Sequence, residues 1–252
     1  MFSMDSKMYV TGDFHGEKAR FYYDKYAYNT DLKEGDYLFE CGDFGFLFNG
    51  SSQEEKYLDE LARKPFTLCF VDGNHENFNK INSYEVEEWN GGKVHVLRRD
   101  EEGNPKIIHL MRGQIFVING VRILAFGGAY SIDQAYRTSG KSWWKEEMPT
   151  DDEKKEALNN LSKFNYEVDV ILTHTAPESV MSRFYLDHHN EKPLNDFLEY
   201  IRESCKFKNW FFGHLHEDED VKAKFGYSGF EGLYALYFDV RDLVSGELIE
   251  KN

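Results

Sequence analysis

Only three cysteines occur in the 252 residues, Cys41, Cys69 and Cys205; they cannot all pair, and none stands at metal-ligand spacing. Cys41 and Cys69 fall in apolar, strand-like stretches, where a small buried thiol is the plain reading, and reduced surroundings are expected. Basic residues are scarce too, with 30 Lys and Arg against 45 Asp and Glu and a formal charge of −15. A broad nucleic-acid surface needs cations to neutralise phosphates, so the balance argues against a long nucleic acid as partner. It leaves room for a small anionic substrate, provided bound cations attract it locally. No apolar run is long enough to cross a membrane, and the opening MFSMDSKMYV lacks the charged-then-apolar plan of a signal peptide. A cytoplasmic location and no membrane partner are therefore expected. Pro/Ser-rich linkers, low-complexity tracts and internal repeats are also missing, which points to one domain over residues 1–252.

What is present alternates. Strand-like runs at MYVTGD (8–13), DYLFECGD (36–43), FTLCFVDGNH (66–75), VDVILTH (168–174) and NWFFGH (209–214) are separated by helical stretches, the pattern of a layered α/β fold. Residues 51–64 open with Ser51 and Glu54, or Ser52 and Glu55, at capping-box spacing, and 150–164 open with Thr150 and Glu153. Pro193 suits the first turn of a helix over 192–205. Residues 107–127 read as an antiparallel ribbon, with Asn119-Gly120 as a hairpin turn, and GLYALYFDV (232–240) as a last strand.

The five runs share an ending: each finishes in, or just before, polar residues of metal-binding type, and ligands gather at the carboxyl ends of strands in α/β sheets. His214 and His216 raise the sharpest question. On an extended chain residues i and i+2 face the same way, so the pair is either two packed or exposed imidazoles or two ligands.

Read in order, the endings are GDFHG (12–16), GDFG (42–45), GNHE (73–76), THTAP (173–177) and GHLH (213–216). This succession resembles the calcineurin-like metallophosphoesterases, which carry GDxH, GD, GNH[DE], a later lone histidine and GHxH. The resemblance spans residues 12–216. It implies an α/β/β/α sandwich with two mixed β-sheets and a metal site at the strand C-terminal ends. It further implies two divalent ions (manganese, iron or zinc, with manganese expected to serve in vitro) and hydrolysis of phosphate esters by in-line attack of a metal-held hydroxide. Carried over residue by residue, Asp13, His15 and His216 match ligands of the first metal, and Asn74, His174 and His214 those of the second. Asp43 matches the carboxylate that bridges them, and His75 the histidine beside the substrate phosphate. Oxygen and imidazole donors of this kind suit several of these ions alike. Glycines before Asp13, Asp43, Asn74 and His214 fit sharp turns close to such a site.

The match is incomplete. Where the protein Ser/Thr phosphatases of the superfamily carry GDxVDRG, this chain has GDFGFLF (42–48), so Phe46 and Leu47 replace an aspartate and an arginine. Arg137, in GGAYSIDQAYRTSGKSWWKEE (127–147), is the cation read as replacing that arginine, with Trp143 and Trp144 as candidate stacking surfaces. A small or nucleotide-like phosphoester is the expected substrate, phosphatase and phosphodiesterase action are not separated, and a phosphoprotein is the next class. A non-catalytic binding or scaffold protein on the same fold, and a nuclease, are the alternatives. Glu76 either orients His75 or continues the turn. His95 and His109 read as structural, and His188-His189 as solvated surface.

Overall fold

The computed structural model describes residues 6–184 and 189–249. Its strands are β1 (Met8–Thr11), β2 (Tyr37–Glu40), β3 (Thr67–Phe70), β4 (Val86–Trp89), β5 (Gly92–Arg99), β6 (Pro105–Leu110), β7 (Gln114–Ile118), β8 (Val121–Phe126), β9 (Val170–Thr173), β10 (Asn209–Phe212), β11 (Glu219–Asp220), β12 (Leu233–Ala235) and β13 (Arg241–Asp242). The α-helices are α1 (Tyr28–Asp31), α2 (Ser52–Ala62), α3 (Phe78–Ile81), α4 (Asp151–Lys163), α5 (Glu178–Phe184), α6 (Lys192–Ser204) and α7 (Val221–Phe225). None is long and apolar enough to cross a membrane among the described residues.

The strands form two mixed sheets, ordered β13-β1-β2-β3-β6-β5-β4 and β11-β12-β10-β9-β8-β7. Each has four parallel strands at its centre, β1, β2, β3 and β6 in one and β12, β10, β9 and β8 in the other, with antiparallel strands at the edges. Strand alternation builds the layers. In β8, Ile123 and Ala125 face the space between the sheets, whereas Leu124 and Phe126 face the helices. Phe39, Cys69, Ile108, Phe116, Leu172 and Phe211 fill that middle space. Outside the first sheet, Leu38, Leu68 and Phe70 pack with Tyr57, Leu58 and Leu61 of α2. Outside the second, Ile171, Trp210 and Phe212 pack with Ala157 and Leu161 of α4 and Leu194, Leu198 and Ile201 of α6. The result is the α/β/β/α sandwich. Strands buried on both faces explain why the runs read as continuous apolar stretches rather than as alternation.

The helix starts follow their expected chemistry. At α4 the Thr150 side chain accepts from Glu153 N–H and the Glu153 carboxylate accepts from Thr150 N–H, a complete capping box. At α2 Ser51 is the cap, but Glu54 turns away from it and accepts from Phe48, Asn49 and Gly50 N–H instead. All three cysteines are free and buried.

Two expectations need correction. Asn119 and Gly120 both have positive φ and close the β7–β8 hairpin, yet β6 does not join that ribbon. β6 pairs parallel to β3 in the other sheet, and the chain changes sheets between Leu110 and Gln114, where the buried Arg112 binds Asp72. The last expected strand shrinks to Leu233–Ala235, because Asp218 accepts from the N–H groups of Tyr237, Phe238 and Asp239 and folds that segment into a turn. A second hairpin, β4–β5, turns at Asn90-Gly91, both at positive φ.

Candidate metal centre

β1, β2, β3, β9 and β10 run parallel within their sheets, and their C-terminal loops bring the seven expected ligands together. Asp13, Asp43, Asn74 and His174 are buried, while His15 and His216 face outward. Five of the seven, Asp13 (φ 44°), His15 (φ 48°), Asp43 (φ 62°), His214 (φ 65°) and His216 (φ 53°), lie in the left-handed region, where side chains beyond Gly and Asn are uncommon. Such conformations cost about 1–3 kcal/mol each and persist where the surroundings enforce them, commonly at functional sites. The positive φ values also revise one reading. His214 and His216 lie beyond β10 in turn conformations, so they do not share a direction by strand alternation. His214 reaches Glu191, with its Nε2 3.1 Å from Oε2. His216 reaches His15, their Nε2 atoms 2.8 Å apart.

The loops are stitched to one another. His15 N–H donates to Asp43 O (2.7 Å), His75 N–H to Asp43 Oδ1 (2.7 Å) and His214 N–H to Asp13 Oδ1 (3.0 Å). Glu40 accepts from Phe14 and Gly42 N–H, and Glu76 from Phe44 N–H at 2.7 Å, so Glu76 braces the loop carrying Asp43. A Cβ at Gly73 would collide with the Asp43 carboxylate, and one at Gly42 (φ +94°) with the His174 ring. Arg20, fully buried and outside every motif, donates to Gly12 O (2.9 Å), Asp13 O (3.2 Å) and Tyr237 O (2.7 Å), while Tyr237 stacks on His216.

Donor atoms converge in two groups. One ligand atom each from Asp13, His15, Asp43 and His216 lies within 4.8 Å of the others. In the second group, His174 Nε2 is 3.1 Å from Asn74 Oδ1 and 3.5 Å from Asp43 Oδ1. His174 Nδ1 lies 2.7 Å from Cys41 O and donates to it, while Asn74 Nδ2 donates to Ser131 Oγ (3.0 Å), which turns the amide oxygen inward. Asp13 Oδ2 is buried with no hydrogen-bond partner. A buried carboxylate oxygen without a donor, amid imidazole nitrogens and further oxygens, fits a divalent cation.

Electrostatics agree. Burial pushes Asp13 up to about 7 against the pull of His174. Burial, with Asp43 adding, lifts Glu76 to about 8, and burial, with Glu76 and Asp13 adding, lifts Glu40 well above the usual range. At His174 burial opposes the charge, but Asp43 and Asp13 outweigh it and raise the ring to about 10. Asp43 goes the other way, since against burial the His174 ring holds it well below the usual range, so the buried carboxylates compete for the positive charge of one imidazole.

A cavity of about 650 Å³ opens over these residues, lined on its polar side by Asp43, Asn74, His75, Asp133, Glu191, His214 and His216. Tyr130, Ile132, Met181 and Leu215 form its less polar wall, and the exposed His189 also lines it. His188 lies outside the described residues. Arg137, carried by the loop after β8, places Nη2 2.8 Å from His75 Nδ1 and 3.1 Å from its Nε2, with Nε on Asp133 Oδ2 (2.8 Å). Trp144 is 3% exposed and packs edge-on against Phe48, which leaves it no face to offer a base. His95 and His109 are structural and stacked on each other. Glu191 and Arg20 carry no sequence signal, since both stand in polar segments with no motif spacing.

No curated protein matches the chain. The sequence model of a family described as calcineurin-like phosphoesterase matches residues 6–218, a stretch that includes both donor groups and the loops that stitch them. With most of its length inside that match, the chain belongs to the calcineurin-like phosphoesterase family.

Proposed function

We propose that the protein hydrolyses phosphate esters with two divalent metal ions, and that its substrate is small or nucleotide-like. The observation that carries this is the buried, unpartnered Asp13 Oδ2 beside two converging donor groups that share Asp43. Asp13, His15, Asp43 and His216 would hold one ion, and Asp43, Asn74, His174 and His214 the other. When bound, such a pair supplies Lewis acidity at the phosphoryl oxygens and a water nucleophile at neutral pH.

The chain's own residues supply the rest. An arginine N–H can only donate, so whichever His75 ring nitrogen accepts from Arg137 Nη2, at 2.8 Å for Nδ1 and 3.1 Å for Nε2, the other carries the proton of the neutral ring. That N–H is suited to the leaving-group oxygen, and Arg137, held by Asp133, to a phosphoryl oxygen. In this role Arg137 stands in for the arginine that Leu47 replaces; Leu47 itself is buried in the outer core. A cavity of about 650 Å³ supports a substrate of nucleotide size over a phosphoprotein or a long nucleic acid.

The test is hydrolysis of p-nitrophenyl phosphate and bis-p-nitrophenyl phosphate by Mn²⁺-loaded protein, with Asp43→Asn as control. Cleavage that disappears in the control together with metal uptake supports the reading, and the preferred ester separates phosphatase from phosphodiesterase action. A wild-type protein that takes up no divalent metal, or cleavage undiminished in Asp43→Asn, refutes it.

A further inference from the structure

Glu191, the residue just before α6, is 4% exposed and collects donors from four separate segments. Its Oε1 accepts from the Thr175 hydroxyl and from Asn195 Nδ2 (3.0 Å). Its Oε2 accepts from Tyr130 N–H (2.9 Å) and lies 3.1 Å from His214 Nε2. With every other partner donating to it, this carboxyl is an acceptor, so the proton on His214 sits at Nε2. The other nitrogen, Nδ1, keeps its lone pair on a ring that lines the cavity with Asp43 and Asn74. A neutral imidazole in water exchanges between two tautomers, one of which would turn an N–H on a cation.

We propose that Glu191 is the positioning residue for His214: it locks the Nε2–H tautomer and so presents Nδ1 as a metal donor. The proposal rests on the metal-dependent reading of the site. A carboxylate behind a ligating histidine fixes the ring and raises its basicity, and losing one typically weakens metal binding by about 10–100-fold. A purely structural role, pinning α6 to the loops after β8 and β9, would need the bonds to Asn195, Thr175 and Tyr130 but not the one to His214.

Two readouts separate these roles in the full-length protein: the His214 tautomer in metal-free, ¹⁵N-histidine-labelled protein by long-range ¹H–¹⁵N correlation, and Mn²⁺ binding by calorimetry. Wild type should show Nε2–H alone and bind two equivalents. Glu191→Ala should admit the Nδ1–H form and weaken one equivalent by about 10–100-fold while sparing the other. Glu191→Gln, which keeps the side-chain volume if the alanine variant fails to fold, should keep an acceptor without its charge and weaken the same equivalent less, by about tenfold. Asn195→Ala, which removes the bond to Glu191 Oε1 and those to Thr175 Oγ1 and Ala176 O but none to Oε2 or His214, should leave tautomer and affinities as in wild type. Unchanged tautomer and affinities in the Glu191 variants, or equal losses at both equivalents, overturn the positioning role. Absence of Mn²⁺ binding in wild type overturns the metal-dependent reading, and the role with it, a failure visible before any variant is made.

Discussion

At His75 two neighbours pull in opposite directions. Burial holds its ring below the ordinary value, Asp43 offsets part of that, and Arg137 adds to the lowering. The histidine therefore sits beside a cation rather than beside an aspartate at position 46, where this chain has Phe46. His75→Asn is expected to leave metal content unchanged and to lower turnover by about 10²–10⁴-fold, the range of general acid–base catalysis. Metal analysis beside steady-state kinetics decides it, and normal turnover removes His75 from the mechanism. Arg137→Ala should cut kcat/KM by about 10²-fold, as for loss of one donor to a developing oxyanion. Arg137→Lys should recover only part, because a point charge does not reproduce the guanidinium fork. Wild-type kinetics in both variants would end the phosphate-binding role.

Among the elements, α4 shows how far local chemistry reaches. Its start was legible because Thr150 and Glu153 stand at capping distance, and both reciprocal bonds form. Thr150→Ala should lower stability by about 1 kcal/mol, read as an earlier urea midpoint with unchanged slope; no shift would mean the cap is redundant with the packing of Ala157 and Leu161. The β7–β8 hairpin was legible for the same reason, since Asn119-Gly120 suits a turn with two positive φ values. The partner of β6 was not. Apolar runs separated by a short turn read alike whether the chain folds back or changes sheets, and the buried pair of Arg112 with Asp72 belongs to residues 40 apart.

Across the whole molecule, a buried polar chain runs behind the site. Arg112 and His109 donate to Asp72, the residue before Gly73, and His109 Nδ1 lies 3.0 Å from His95 Nδ1. Burial, with His109 adding, holds His95 at about 4 against an ordinary 6.5. The folded protein thus refuses a proton that the unfolded chain takes up between those values. This contribution to stability is full above pH 6.5 and is lost as pH falls toward 4. At about 1.4 kcal/mol per unit it is on the order of 3 kcal/mol. His95→Asn keeps a hydrogen-bonding group beside His109 but cannot titrate, so it should flatten the fall in urea midpoint between pH 7 and pH 4.5. An equal fall in both proteins would show that His95 does not carry it.

The sequence by itself determined the types of the candidate ligands, their order and their place at strand ends, because those follow from short motifs and from apolar runs that two buried sheets require. It also located the main helices, whose caps are local. Tertiary structure alone decided which atoms meet: His15 with His216, Arg137 with His75, Glu191 with His214. Residues 62 and 201 positions apart come within hydrogen-bond reach in the first two of those pairs only through the stacking of the two sheets and the course of the loops. Buried polar groups such as Glu191, Arg20 and Asp72 leave no periodicity to read. Their positions are fixed by the donors and acceptors that folding surrounds them with, and an unsatisfied polar group in such a core would cost more than its bond contributes.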